Sequence, residues 1–223
     1  MSFINKKVSR KLEGLLLGWL PSSLRVSWQA LKTRRKMNRQ FGRRLDPFDF
    51  ERSKYEKMRL NAMEEAIIGN PQKVLEIGCA EGHFTARLAG RVQDLTALDI
   101  SDVALERARG RAPNARFIKA DILEWAPSAG EPYDLIVLTD TLYYLERPIV
   151  QTEFNALFGR ISSWITDAGY IVLANGFGDE PTLLNRRSFR ERFEKTGLTL
   201  VSERIVGEAG QNGIRCLLSV LRK

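Results

Sequence analysis

Two cysteines and one histidine are all that this 223-residue chain offers as thiols and imidazoles. Cys79 and Cys216 are too few for a disulfide framework, and no metal-ligand spacing gathers around His83. A reducing, cytoplasmic setting and a metal-free chemistry are the resulting expectations. Long apolar runs are also missing: none approaches the roughly 20 residues that span a bilayer. Lys6, Lys7, Arg10 and Lys11 ahead of the apolar stretch 12–20 have the outline of a secretion signal, but Glu13 interrupts the run and no clear A-x-A site follows. Repeats and low-complexity tracts are absent. The chain is 43% hydrophobic and 28% charged, the profile of one soluble domain with an extension.

The net charge of +8 is unevenly spread. Residues 1–46 carry twelve Lys/Arg against only Glu13 and Asp46, so the remainder is close to neutral. An enzyme of nucleic acid more often carries positive charge around its cleft, so the near-neutral body argues against that partner. Within the basic arm, Leu12, Leu15, Leu16, Trp19 and Leu20 share one helical face. After Pro21, Leu24, Trp28 and Leu31 repeat the pattern, and Arg34, Arg35, Lys36, Arg39, Arg43 and Arg44 follow. Such an arm packs as an amphipathic cover on its own domain or on a second copy in a homodimer. The sharper reading is peripheral contact with anionic lipid at the inner face of a membrane. Residues 47–71 read as a lid helix, capped by Asp49 or Ser53 and running through Tyr55, Met58, Arg59 and Met63.

Residues 72–223 alternate strand and helix, which predicts an α/β sheet of mostly parallel strands. Val74, Leu75 and Ile77 make a short β-branched-rich run, and Gly78 and Gly82 follow it. Phe84, Arg87, Leu88 and Arg91 then recur at helical spacing. Strand, glycine turn and helix form a nucleotide-type corner. The spacing is G-x-x-x-G, without the middle glycine that admits a pyrophosphate, and Glu76 and Glu81 flank the turn. Two carboxylates repel a pyrophosphate and suit a cationic amine, so the corner points to a nucleoside bearing an amino acid. Further strands are expected at 95–100, 115–120, 133–138 and 169–174, with helices at 101–111, 149–165 and 187–195. A closing pair at 198–206 and 214–221 is expected to be antiparallel. Asp99, Asp121 and Asp140 all fall at strand ends, where open α/β sheets bind ligands.

The motifs L-E-I-G-C-A-E-G-H-F-T, A-L-D-I-S, A-D-I and Y-D-L-I-V-L-T-D-T-L-Y-Y-L resemble those of class I S-adenosylmethionine-dependent methyltransferases. D-P-F-D-F…S-K-Y-E-K-M-R upstream and D-T-L-Y-Y-L downstream resemble the nodulation protein S type, which N-methylates a deacetylated amino sugar of a chitooligosaccharide. The resemblance implies a Rossmann-like seven-stranded sheet with the last strand antiparallel. It implies S-adenosyl-L-methionine as cofactor and S-adenosyl-L-homocysteine as product. Glu76, Gly78, Cys79, Ala80 and Gly82 would cradle the methionine moiety. Asp99 would hold the ribose, Ile100 would flank the adenine, and Asp121 and Ile122 would contact it. Thr139 would lie near the sulfonium. Asp140 and His83 are the candidates to take a proton from the acceptor, with Tyr55, Tyr143 and Tyr144 shaping its pocket. The expected acceptor is an amino or hydroxyl group of a small molecule, a sugar, oligosaccharide or glycolipid before another metabolite or RNA. A binding module without turnover is the competing class. Where base N-methyltransferases of nucleic acid carry N-P-P-Y or D-P-P-Y, this chain has D-T-L-Y.

Overall fold

The computed structural model describes residues 17–208 and 213–223. Seven strands form one sheet: β1 (Lys73–Ile77), β2 (Asp94–Asp99), β3 (Arg116–Lys119), β4 (Tyr133–Thr139), β5 (Ile165–Phe177), β6 (Thr199–Val206) and β7 (Arg215–Arg222). Their spatial order is β3-β2-β1-β4-β5-β7-β6. The first five run parallel, and β7 inserts antiparallel between β5 and β6. The chain order reverses between β1 and β4, which opens a crevice at their carboxyl ends.

Apolar residues alternate along the central strands and divide between two cores. Leu75, Ile77, Ile136, Leu138, Ile171 and Leu173 face one layer. That layer is α6 (Gln151–Ser163) and α7 (Glu180–Glu194), whose Phe154, Phe158, Phe189 and Phe193 interlock edge to face. Val74, Leu135, Val137, Val172 and Leu218 face the other layer, filled by Leu60 and Met63 of α2 (Lys54–Glu65) and Phe84 and Leu88 of α3 (His83–Ala89). α4 (Asp102–Arg111) links β2 to β3, and a single turn, α5 (Leu142–Leu145), follows β4.

The expected strands are all present, but several boundaries move. β5 starts earlier and runs to Phe177, because Ile165 already pairs with Tyr133 across a register shift. α7 begins at Glu180, not near 187. Asp179 accepts from Thr182 N at 2.9 Å in a capping box, and Pro181 lies in the first turn, where its missing N–H costs nothing. Ser53, not Asp49, caps α2, accepting from Glu56 N at 3.3 Å.

The arm shows the largest departure. One 22-residue helix, α1 (Ser22–Arg43), lies against the 3-10 turn Pro148–Val150 and α4. It does not bury the expected stripe of Leu24, Trp28 and Leu31: Leu24 and Trp28 are exposed. Val26, Gln29, Met37 and Phe41 are buried instead, with Met37 and Phe41 packed on Ala104. Polar contacts choose this face. Ser22 and Arg25 reach Glu153, and Ser101 Oγ donates to Asn38 at 2.7 Å. The predicted face at Leu12, Leu15 and Leu16 lies outside the described residues. None of the described helices is long and apolar enough to cross a membrane.

If α1 is an integral wall of the domain, Phe41→Ala should lower the unfolding free energy by about 3–5 kcal/mol, the cost of emptying a buried phenylalanine site. Urea unfolding checks this, and a loss below about 1 kcal/mol would mean that α1 contributes little to the domain.

Candidate active site

The corner after β1 is built on backbone. Gly78 N and Cys79 N donate to Leu98 O at 2.8 and 2.9 Å, which ties the turn to β2. Gly78 has φ +84°, and a Cβ there would meet Thr141 Oγ1 at 2.0 Å, so neither the torsion nor the space admits a side chain. Thr141 Oγ1 in turn donates to Ile77 O and Thr139 O, joining the ends of β1 and β4. Four described non-glycine residues have positive φ: Asp46, Asp49, Ala80 and Asp140. All but Asp46 line one cavity, and left-handed backbone of this kind concentrates at binding sites.

That cavity measures about 1120 Å³ and opens over the carboxyl ends of the strands. Of the residues singled out in the sequence, Tyr55, Gly78, Ala80, Asp99, Ile100, Asp121, Ile122, Thr139, Asp140, Tyr143 and Tyr144 line it. Glu76, Cys79, Gly82 and His83 do not. Glu76 is buried beneath the corner and accepts from Thr85 Oγ1 at 2.6 Å. Cys79 points into a small apolar cluster with Ala97 and Leu105, and burial raises its thiol pKa well above the ordinary value. Gly82 caps α3 at φ +78°. His83 lies behind Phe50, its ring stacked on the phenyl at 4.7 Å, and burial, then Arg111, lowers its pKa. Glu81, the second flanking acid, is ion-paired with Arg107 and also lies off the cavity.

The two ends of the cavity differ chemically. At one end, Asp99 Oδ2 accepts from Ala80 N at 2.9 Å and Oδ1 from Ser101 N at 2.8 Å. Burial nevertheless pushes its carboxyl pKa up, with the backbone bonds opposing. Extra hydroxyl donors there would relieve that cost. Asp121 Oδ1 accepts from Leu123 N at 2.9 Å. Between the ends, Thr139 Oγ1 is buried with no partner, an orphan polar atom on the cavity wall. The other end is aromatic and ionic. Arg59, 2% exposed, donates to Asp140 Oδ2 at 2.7 Å and to Glu56 Oε2 at 2.8 Å. Gly176 N donates to Asp140 Oδ1 at 2.7 Å. Burial alone would lower the Arg59 pKa, but the Asp140 and Glu56 carboxylates overcome it and raise it. Arg186 stacks over Tyr143 at 4.0 Å and donates to Gly176 O at 2.8 Å. Burial raises the pKa of the Tyr55, Tyr143 and Tyr144 phenols, so all three remain protonated donors.

Several wall residues were not legible as site residues. Met37 and Phe41 come from α1, and Phe48 and Phe50 from the segment before α2. Arg59 falls within the S-K-Y-E-K-M-R motif, whose lone arginine on an otherwise apolar face of α2 was the available signal. Arg186 gave none. A second, open depression of about 630 Å³, at residues 127–132 and 163–167, lies by the amino ends of β4 and β5 and contains none of these groups.

A sheet of this order with β7 reversed, a glycine corner after β1 and an acid closing β2 is the fold of class I S-adenosylmethionine-dependent methyltransferases. Solved structures agree. The N-methyltransferase NodS of Bradyrhizobium japonicum WM9, in complex with S-adenosyl-L-homocysteine, superposes with a TM-score of 0.74 at 25% identity, covering 86% of this chain and 98% of that one. The magnesium protoporphyrin IX methyltransferase of Synechocystis PCC 6803 shares the fold at a TM-score of 0.63 and 16% identity, over 87% of this chain and 97% of that one. Within this class, the chain belongs to the nodulation protein S (NodS) family, whose model matches residues 32–172. Nodulation protein S of Rhizobium tropici is 32% identical over 135 residues, 59% of this chain and 53% of the relative. That of Bradyrhizobium diazoefficiens is 36% identical over 111 residues, 48% of this chain and 50% of the relative. The chain thus spans about half the length of the curated relatives it matches.

Glu76 gives a pH-dependent prediction. Burial pushes its carboxyl up to about 7, against the lowering effect of the Thr85 hydroxyl. Between the unfolded value of 4.5 and about 7, the folded chain holds a proton that the unfolded chain has lost. This contribution to stability therefore falls as pH rises across that window. Glu76→Gln should remove the slope, leaving the variant more stable than the parent by on the order of 2–3 kcal/mol at pH 8 and little different near pH 4.5. Urea unfolding of both chains from pH 5 to 8 measures the difference, and a pH-independent one would mean that Glu76 titrates normally.

Proposed function

We propose that this protein transfers a methyl group from S-adenosylmethionine to an amino group of a sugar or oligosaccharide, with a sugar hydroxyl as the second reading. The observation that carries this is one cavity with a carboxylate end, Asp99 and Asp121, and an aromatic–ionic end, Tyr55, Tyr143, Tyr144 and Asp140. The cofactor complex of the Bradyrhizobium japonicum relative supports the same reading. The bare backbone of Gly78, the half-buried Asp99 and the orphan Thr139 hydroxyl fit such a nucleoside ligand.

When bound, S-adenosylmethionine supplies a methyl group on a sulfonium, an already activated leaving group. The chain therefore has mainly to align the acceptor and exclude water. Asp99 accepts from the ribose hydroxyls, Ile100, Asp121 and Ile122 hold the adenine, and the Gly78–Ala80 backbone and Thr139 hold the amino-acid end. Met37, Phe41, Phe48 and Phe50 wall the cavity against solvent. Protonated Tyr55, Tyr143 and Tyr144 donate to sugar oxygens and offer apolar ring faces. Asp140, fixed by Arg59 and Gly176 N, attracts the acceptor amine and takes its proton. His83 lies off the cavity, so the proton acceptor is assigned to Asp140.

Calorimetric titration with S-adenosyl-L-homocysteine tests the cofactor reading, and no binding at high micromolar ligand would sink it. Asp99→Asn should weaken that affinity by about 10–100-fold, the loss of a charge-assisted bond. Asp140→Asn should leave the affinity unchanged and lower kcat about 100-fold on partly deacetylated chitooligosaccharide. A near-normal kcat would mean that alignment alone suffices.

A further inference from the structure

Away from the cavity, three donors drawn from separate parts of the sequence converge. His83 Nε2 lies 3.8 Å from Asp46 Oδ1 and 3.8 Å from Glu81 Oε2. The three ligand atoms all fall within 4.8 Å of one another. Both His83 Nε2 and Glu81 Oε2 are buried without a hydrogen-bond partner. The Glu81 side chain is 1% exposed and that of His83 9%. At 3.8 Å neither pair is hydrogen-bonded, so two buried polar atoms aim into one small space with nothing to satisfy them.

We propose that Asp46, Glu81 and His83 bind one divalent transition cation of the Zn²⁺ or Mn²⁺ kind. An ion equidistant from donors so spaced lies about 2.1–2.5 Å from each, so shifts of a few tenths of an ångström reach the roughly 2.0–2.2 Å of Zn–N and Zn–O bonds. One imidazole with two carboxylates favours a borderline cation over Mg²⁺ or Ca²⁺, which take all-oxygen sets. The surroundings hold each ligand in place. Arg107 occupies Glu81 Oε1 and leaves Oε2 free. Phe50 N and Glu51 N donate to the two Asp46 oxygens at 2.8 and 2.9 Å. The Phe50 ring fixes the imidazole plane. Arg107 and Arg111 bring two positive charges to this neighbourhood, against which Asp46, Glu81 and Glu51 carry three negative ones, so a dication has one net negative charge to neutralise. None of the three ligands lines the cavity, so the ion is structural. It pins the segment that carries Phe48 and Phe50 to the glycine corner. This assignment does not depend on the reaction proposed above.

The test uses the untagged full chain, stripped with chelator and titrated separately with ZnCl₂, MnCl₂, CoCl₂ and MgCl₂. We expect one Zn²⁺ per chain, with Mg²⁺ at least tenfold weaker, and a melting temperature raised by about 5 °C at a hundredfold excess over Kd. Asp46→Asn and His83→Gln should each weaken Zn²⁺ binding at least tenfold. Because His83 is the sole histidine, its NMR signals in the parent chain give a readout free of folding effects in variants. Those signals should shift or broaden on adding Zn²⁺ or Co²⁺. No saturable binding up to about 1 mM, a level far weaker than protein sites of this donor type, would overturn the proposal. So would His83 signals unmoved at saturating metal, or equal binding by both variants.

Discussion

The buried guanidinium of Arg59 ties the aromatic and ionic end of the cavity together. It is a full charge with almost no solvent contact, and it is tolerable only because Glu56 and Asp140 both close on it. Asp140 also takes the Gly176 N–H, so one cluster joins α2, the end of β4 and the end of β5. Removing either carboxylate leaves the arginine paired with the other, whereas removing the arginine would strand two carboxylates. Such pairs contribute little to net stability compared with an apolar replacement, but they allow one geometry and few others. The left-handed backbone of Asp140 is held by the same bonds.

The sheet supplies only half of the cavity. Its floor is the strand ends and the glycine corner, while its roof is Met37 and Phe41 from α1, Phe48 and Phe50, and Tyr55 and Arg59 from α2. The helix expected as an amphipathic cover or a lipid-binding arm packs on its own domain as part of the enclosure, and Asn38 reaches Ser101 just past the end of β2. Arg35, Arg39 and Arg43 of that helix are exposed, while Arg25 pairs with Glu153 and Lys36 lies over the Tyr144 ring.

The parts that could be read from sequence are those governed by local rules. Strand positions follow from β-branched runs, and the corner follows from Gly78 and Gly82. Asp99, Asp121 and Asp140 were placed by counting along strands whose carboxyl ends must meet. What escaped was decided by tertiary partners. Leu24 and Trp28 have the same i, i+4 spacing as Met37 and Phe41, so spacing alone does not choose between the faces; α4 and the Pro148–Val150 turn select the latter. His83 seemed adjacent to the ligand because it follows the corner, but the first turn of α3 carries it behind Phe50. The start of α7 was hidden because Pro181 reads as a breaker until it is recognised as a first-turn residue after the Asp179 cap.

The docking of α1 has a consequence for how the chain is made. Ser22 and Arg25 find their carboxylate at Glu153, and the Ser22 contact spans 131 residues. At ribosomal rates of roughly 5–20 residues per second, α1 waits on the order of ten seconds for its last partner to emerge. During that interval Val26 lacks the cluster that includes Ile149 and Val150, while Met37 and Phe41 wait only for Ala104 of α4. A folding route that closes the sheet first and lays α1 over it last avoids the long-range loop until the core can compensate its entropy. The site would then be the last part of the molecule to form and, on opening, the first to come apart.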